Sequence, residues 1–433
     1  MRYHSALYDF IANDEDARVC KDIPDSACSN VPANFFRIVA SNILTKLGDA
    51  IVNPKTVLTW IMTVVGAPVY LVALLVPIRE SGSMLPQLFI ASFVRTRPLR
   101  KLIWVLGSLL QAAAVVAIAA VAWALEGAWA GWLIVVLLVL FSLARGLCSV
   151  AAKDVIGKTV PKTRRGRLNG LSATLAGLLT LVLGGLLLTS GGAQPGVLFY
   201  SVLLLAGAVM WLLAAWVYAG IQETPGETGG GGNAFAEAMA RLDILRTDPP
   251  FRRFVIARAL LLCSALTAPY YVLLAQSGSG ADLSLLGRFV VAGALAESVS
   301  ASFWGIMADR SSRQVMAVAA LISGLLGIVA FVVEAGVPPL REWAWTYPIL
   351  FFVLGIAHSG VRLGRKTYVL DLAGGQKRTD YVAVSNSVIG LVLLLTGSIG
   401  ALSSVMPPEG VIFVLSVAGL GGAVLVRRLP ETV

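Results

Sequence analysis

The chain has 433 residues, of which 57% are hydrophobic and only 13% charged, with a mean hydropathy of +0.81. An ordinary soluble domain is about a quarter charged, so this composition excludes a water-soluble globular protein. The formal net charge is +10, but the basic residues sit in short loops between apolar runs. No basic domain is present to hold a nucleic acid.

Residues 1–34 are polar, with acidic patches and no apolar stretch near the start. No cleavable signal is expected, and the first apolar run is expected to serve for membrane insertion. Cys20 and Cys28 fall in this segment, expected to be cytoplasmic and its thiols reduced; with His4 alone nearby, no metal site is expected. Twelve apolar segments follow, at 35–62, 67–94, 102–125, 131–152, 168–190, 197–220, 252–275, 284–307, 315–334, 345–365, 381–404 and 410–427. Each is long enough to cross about 30 Å of hydrocarbon as a helix. Helices satisfy their own backbone hydrogen bonds in lipid, so the expected fold is an all-α polytopic membrane protein.

Between the sixth and seventh segments lies "IQETPGETGGGGNAFAEAMARLDILRTDPPF", whose Pro, Thr and Gly cluster reads as a linker. "FAEAMARLDIL" within it suits a short surface helix. The expected organisation is an N-terminal segment (1–34), a six-helix bundle (35–220), a linker (221–251), and a second six-helix bundle with a short tail (252–433). Basic residues crowd one set of loops: "RTRPLRK" (95–101), "KTVPKTRRGR" (158–167), "DRSSR" (309–313), "RLGRK" (362–366), "QKRTD" (376–380) and the tail "RRLP". The alternate loops hold few. By the positive-inside rule both termini and the linker are expected in the cytoplasm, which suits a protein of the inner membrane.

The halves resemble each other. "SFVRTRPLRK" from Ser92 and "GIMADRSSRQ" from Gly305 are 213 residues apart. The same offset pairs Lys153 with Lys366, Arg165 with Arg378 and Arg145 with His358. Repeats of this kind are typical of secondary transporters. "GIMADRSSRQ" resembles the signature loop of the major facilitator superfamily, G-x-L-a-D-R-x-G-R-[KR], through Gly305, Ala308, Asp309, Arg310 and Arg313. The first-half copy keeps Arg97, Arg100 and Lys101 but has Thr96 for the aspartate. The resemblance covers essentially the whole chain. It implies twelve transmembrane helices in two pseudo-symmetric halves, and a cytoplasmic gate loop whose contacts hold one conformation and break in the other. It also implies that the first, fourth, seventh and tenth spans line a cavity. With Thr96 uncharged, a weaker latch is expected in the first half.

Charges inside spans are the candidate functional groups, because each is costly in hydrocarbon unless it meets a partner or a polar cavity. They are Lys46 and Asp49 in the first span, Arg79 and Glu80 in the second, Arg145 in the fourth, Arg258 in the seventh, Glu297 in the eighth, and His358 and Arg362 in the tenth. Spans three, six, nine and twelve carry none in their interiors. Asn42, Lys46, Asp49 and Asn53 follow a single helical stripe, and Glu80 shares a face with Ser83 and Gln87. A carboxyl group poised between burial and a nearby cation can take and release a proton. Asp49, Glu80 and Glu297 are therefore proton-coupling or substrate candidates, with Arg79, Arg145 and His358 beside them. Asn42, Lys46, Asn53, Gln87, Arg258 and Arg362 are cavity-lining candidates. A fixed Lys46–Asp49 pair that only sets helix packing competes with the first role, and Arg258 snorkelling to the surface competes with the second.

Drug:proton antiporters of the superfamily carry R-x-x-x-G in span four and a G-P pair in span five. Here Ser149 stands at the glycine position after Arg145, and span five has Gly177, Gly184 and Gly185 but no proline. No H-E-x-x-H, G-x-S-x-G or P-loop occurs, so neither an enzyme nor an ATP-driven pump is expected, and no cofactor or metal. The expectation is a monomeric, proton-coupled carrier of a small solute working by alternating access, with export ahead of import. A uniporter, or a scaffold or sensor that kept the fold, is the alternative.

Overall fold

The computed structural model describes residues 28–86, 90, 93–190, 195–226, 228, 242–372 and 377–431. The helices are α1 (Val31–Ile51), α2 (Val57–Val64), α3 (Val69–Met84), α4 (Lys101–Ala124), α5 (Gly127–Thr159), α6 (Lys162–Leu188) and α7 (Val197–Ala219). After the linker come α8 (Pro249–Leu260), α9 (Ala268–Ser279), α10 (Leu283–Ala308), α11 (Ser312–Gly336), α12 (Thr346–Leu372), α13 (Lys377–Thr396) and α14 (Pro408–Arg427). All twelve expected segments carry helix. The starts follow local chemistry: the Asp248 carboxylate accepts from the Phe251 N–H with two prolines opening α8, and Asp282 and Ser311 cap α10 and α11 in the same way.

Nine helical stretches among the described residues are long and apolar enough to cross a membrane. The first, second and eleventh expected segments are outside that set. The first stops at Ile51 and restarts at Val57; the second is a 16-residue helix around Pro77; the eleventh runs on as a 3-10 helix, Gly397–Ser404. The outer faces of α4 to α7 carry exposed Leu, Val and Trp side chains, as a lipid-facing surface does.

Two segments expected as single helices are broken. In the first, "NPKT" interrupts the ladder: Pro54 has no N–H to give, and the Asn53 side chain accepts from the Lys55 N–H to form a turn. In the seventh, α8 ends at Leu260, a four-residue helix Cys263–Leu266 follows, and Pro269 opens α9. The breaks lie at matching places of the two halves. A further correction concerns "RLGRK" (362–366), which is no loop: it lies inside α12, where the helix continues to Leu372. Residues 227 and 229–241 of the linker, and with them the first seven residues of "FAEAMARLDIL", lie outside the described residues; beyond them Ile244–Thr247 forms a short helix. Cys28 is disulfide-bonded, against the expectation of a free thiol, because compartment alone does not decide pairing; Cys148 and Cys263 are free and buried.

Packing repeats between halves. In the first, α4 packs on α5 and α7, and α3 on α5; in the second, α11 packs on α12 and α14, and α10 on α12. The halves meet through α6 against α10 and α3 against α13 with its 3-10 extension. One apolar core joins both halves at the end away from the basic loops, from Leu75, Leu138 and Trp211 to Tyr271, Phe351 and Leu415. At the basic end the core divides. Phe35, Trp104 and Tyr218 belong to one cluster, Phe254, Tyr368 and Val426 to another.

The α6–α10 contact is tight at the end away from the basic loops. A Cβ on Gly287 would lie 2.4 Å from the Leu188 backbone nitrogen, and one on Gly184 would lie 2.8 Å from Val291. Only glycine permits that approach.

Candidate functional site: charges on the seam between the halves

The interior charges converge at mid-height, where the shared core gives way to the two separate ones. Asp49 on α1 bridges two arginines: its Oδ1 lies 3.1 Å from Arg79 on α3, and its Oδ2 lies 2.5 Å from Arg145 on α5. The Arg79 guanidinium also stacks over the Phe141 ring, 5.1 Å from its centroid. Arg79 is tolerated at depth because it shares the Asp49 carboxylate with Arg145 and is covered by an aromatic face. The bridge also replaces the Lys46–Asp49 pair: among the described residues Asp49 pairs with the two arginines instead. Lys46 stands exposed on its helix, within the electrostatic field of Glu297, Asp49, Arg362 and Arg145. Two of those four belong to the second half, so the first span faces the other bundle here.

In the second half, Glu297 on α10 lies 3.7 Å from Arg362 on α12. The pair is long and open, with side chains 71% and 46% exposed. Glu80 makes no ion pair within 4 Å among the described residues, but it lies in the field of Lys55, Arg365, Arg79 and Arg362, in falling order. Residues 79 and 80 therefore part company: Arg79 turns to its own half, Glu80 to the seam. The His358 Nδ1 lies 3.1 Å from the Ser264 Oγ, joining α12 to the broken seventh segment.

Arg258 does not snorkel. It is buried on α8 and donates to the Ser385 Oγ at 2.5 Å and the Asn386 Oδ1 at 2.9 Å on α13. Asn53 lies beyond the end of α1, where its side chain is spent on the turn, so the four-residue stripe stops at Asp49. Asn42 is half-buried on α1, and Gln87 lies outside the described residues.

The signature loops form a second charged layer at the basic end. Arg100 pairs with Asp154 on α5, and the Arg97 guanidinium lies over the Phe93 ring. The Lys101 ammonium donates to the carbonyls of Ala219 and Ile221. Glu223, just past α7, accepts from the backbone N–H groups of Arg100 and Lys101 at 3.1 and 2.8 Å and from the Lys158 ammonium at 3.0 Å. It caps α4, where orphan N–H groups and the helix dipole favour an anion. A carboxylate from another loop thus stands where Thr96 supplies none. In the second half Arg313 donates to the carbonyls of Arg427 and Leu429 and pairs with Glu431. Gly305 is half-buried near the end of α10, and Asp309 and Arg310 are exposed just after it.

Sequence reasoning missed Lys55, Arg365, Glu223 and Glu431. Asn-Pro inside an apolar run was the signal for the break that presents Lys55. His358, Arg362 and Arg365 follow i, i+4, i+7, so a helix extended through "RLGRK" would have put Arg365 on the same face. Glu223 and Glu431 each stand just past the sixth segment of a half, in "QET" and "PET".

A two-bundle membrane protein with broken first and seventh segments and charges on the seam defines the class. The model of the Major Facilitator Superfamily matches residues 38–397, and the chain belongs to that superfamily. Among solved structures, a D-xylose–proton symporter is 13% identical, covers 93% of this chain and 99% of its own, and superposes with TM-score 0.70. A mutant nucleoside transporter is 9% identical over 91% of this chain and 99% of its own, with TM-score 0.70. The xylose transporter from E. coli, in an inward-open conformation, is 12% identical over 92% and 96%, with TM-score 0.67. At these identities the likeness is one of fold. No curated protein sequence matches the chain.

Proposed function

We propose that the protein is a secondary transporter that moves a small solute across the inner membrane by alternating access, coupled to protons, with its basic end in the cytoplasm. The observation that carries this reading is the set of charges on the seam. Ionisable groups inside a membrane protein are expensive and are kept where they meet a polar pathway. Here Lys46 of one half shares a field with Glu297 and Arg362 of the other. The joined core at one end and divided cores at the other correspond to a carrier closed outside and open inside. In that reading the open Glu297–Arg362 pair, and Glu80, which forms no ion pair among the described residues, are the groups that meet a proton or a solute, while Asp49 is held by its two arginines. The neighbours named as symporters and nucleoside or xylose transporters support a transporter.

The test compares cells making the wild-type chain with cells making Glu80→Gln at equal membrane levels. Untargeted mass spectrometry of medium and cell extract is the measurement. A compound that builds up in the medium, or drains from it, only with the wild type identifies solute and direction together. Identical profiles across several media and pH values would favour a scaffold or sensor.

A further inference from the structure

The charges on the seam do not balance. Lys46, Lys55, Arg79, Arg145, Arg362 and Arg365 are six cations; Asp49, Glu80 and Glu297 are three carboxylates, which leaves three positive charges. The ion pairs locate the excess. Asp49 is taken by Arg79 and Arg145, and Glu297 by Arg362. Among the described residues the side chains of Lys46, Lys55 and Arg365 form neither an ion pair nor a hydrogen bond; Lys46 is exposed, whereas Lys55 and Arg365 are half-buried and the Arg365 Nε is buried with no acceptor. Lys55 comes from the break in the first segment and Arg365 from the middle of α12, so one stands in each half. A buried N–H left without an acceptor is costly, and an excess of cations in a low-dielectric region is a site for an anion.

Resting on the transporter reading, we propose that the solute is a small oxyanion with at least two negative charges, carboxylate or phosphate in chemistry, held between Lys55 and Arg365. Glu80 is the resting counter-charge at this place. The charged groups facing it are Lys55, Arg365, Arg79 and Arg362. When the Glu80 carboxylate takes a proton it becomes a neutral acid, its hold on the two cations ends, and solute oxygens take its place. When the solute leaves, the proton leaves and the carboxylate returns. Proton and anion therefore bind together and travel in the same direction.

The test uses the full chain in proteoliposomes filled with a bacterial small-molecule extract. An outward pH gradient is imposed and the contents are quantified by mass spectrometry over time. The expected result is loss, relative to protein-free liposomes, confined to compounds with two or more acidic groups. Lys55→Gln and Arg365→Gln slow this roughly 10–100-fold. Lys55→Arg and Arg365→Lys restore most of the rate, which separates lost charge from lost folding, and Arg252→Gln at the exposed start of α8 changes nothing. Movement confined to neutral or cationic compounds would overturn the anion inference and leave the transporter reading standing. A multivalent anion moved equally well by the two glutamine variants would overturn the site. No compound moved by the wild type would overturn the transporter reading, and this inference with it.

Discussion

The two halves hold the same kinds of charge in unlike ways. In the first, the Asp49 carboxylate is pinned by two arginines from two other helices, and all three side chains are at most about a third exposed. In the second, Glu297 faces one arginine at 3.7 Å and is mostly exposed. The basic end repeats the contrast. Glu223 is fully buried under three donors, while Glu431 is 58% exposed beside Arg313. We infer that the first half is the stiffer body at these two ties; the loosely held ions are Glu297 of the second half and, on the seam, Glu80 and Lys55 of the first.

The largest expected effect is at Asp49. Asp49→Asn leaves Arg79 and Arg145 facing each other in the interior with no carboxylate between them. Removing one partner from a fully buried pair costs about 3–5 kcal/mol; the partial exposure of Arg145 lowers the expectation here to about 2–4 kcal/mol. Thermal unfolding in detergent checks it. A shift no larger than that of Glu297→Gln would break the comparison at its centre.

Next comes Glu223→Gln. The variant amide keeps one acceptor for the α4 N-terminus but loses its charge toward Lys158, and its own N–H₂ meets a donor in a closed site. A buried group left badly satisfied costs about 1–3 kcal/mol. The expected signature beyond lower stability is faster hydrogen exchange at whichever of the Arg100 and Lys101 amides faces the new N–H₂ group and loses its acceptor. Unchanged exchange there would remove Glu223 from the cap.

How far these differences could be read from sequence depends on their range. The interior charges are visible because hydrocarbon makes each one conspicuous, and the stripe at Lys46 and Asp49 follows from helical period alone. Their partners are not visible. Asp49 chooses Arg79 and Arg145, some 30 and 96 residues away, over Lys46 one turn off, because the crossing of α1, α3 and α5 decides which side chains meet. The break at Pro54 was legible in "NPKT" but was outweighed by the apolar run around it. "RLGRK" misled because positive charge at the end of an apolar segment usually marks a loop, whereas here it marks a polar seam inside a helix. Glu223 carries no local signal: its role exists only because α7 ends beside the start of α4.

Glu297→Gln sharpens the comparison from the other side. The pair is long and both members are exposed, so its loss is expected to change stability by no more than about 1 kcal/mol. A double-mutant cycle with Arg362→Gln should give a coupling energy in the same small range. The same variant is expected to abolish pH-driven solute movement if Glu297 exchanges protons, so stability and transport should separate at this residue and not at Asp49.

The smallest effect is expected at the tail. Glu431→Gln removes a surface carboxylate, but Arg313 keeps the carbonyls of Arg427 and Leu429 as acceptors. Exposed ion pairs contribute about 0–1 kcal/mol and are screened by salt. The unfolding midpoint should therefore move less than for Glu223→Gln, and the gap should persist in high salt because Glu223 is sealed from solvent. If instead the two variants were equal at low salt and both recovered at high salt, the two ties would be the same surface contact. The first half would then have no claim to be the stiffer body at the basic end, and the contrast would rest on Asp49 alone.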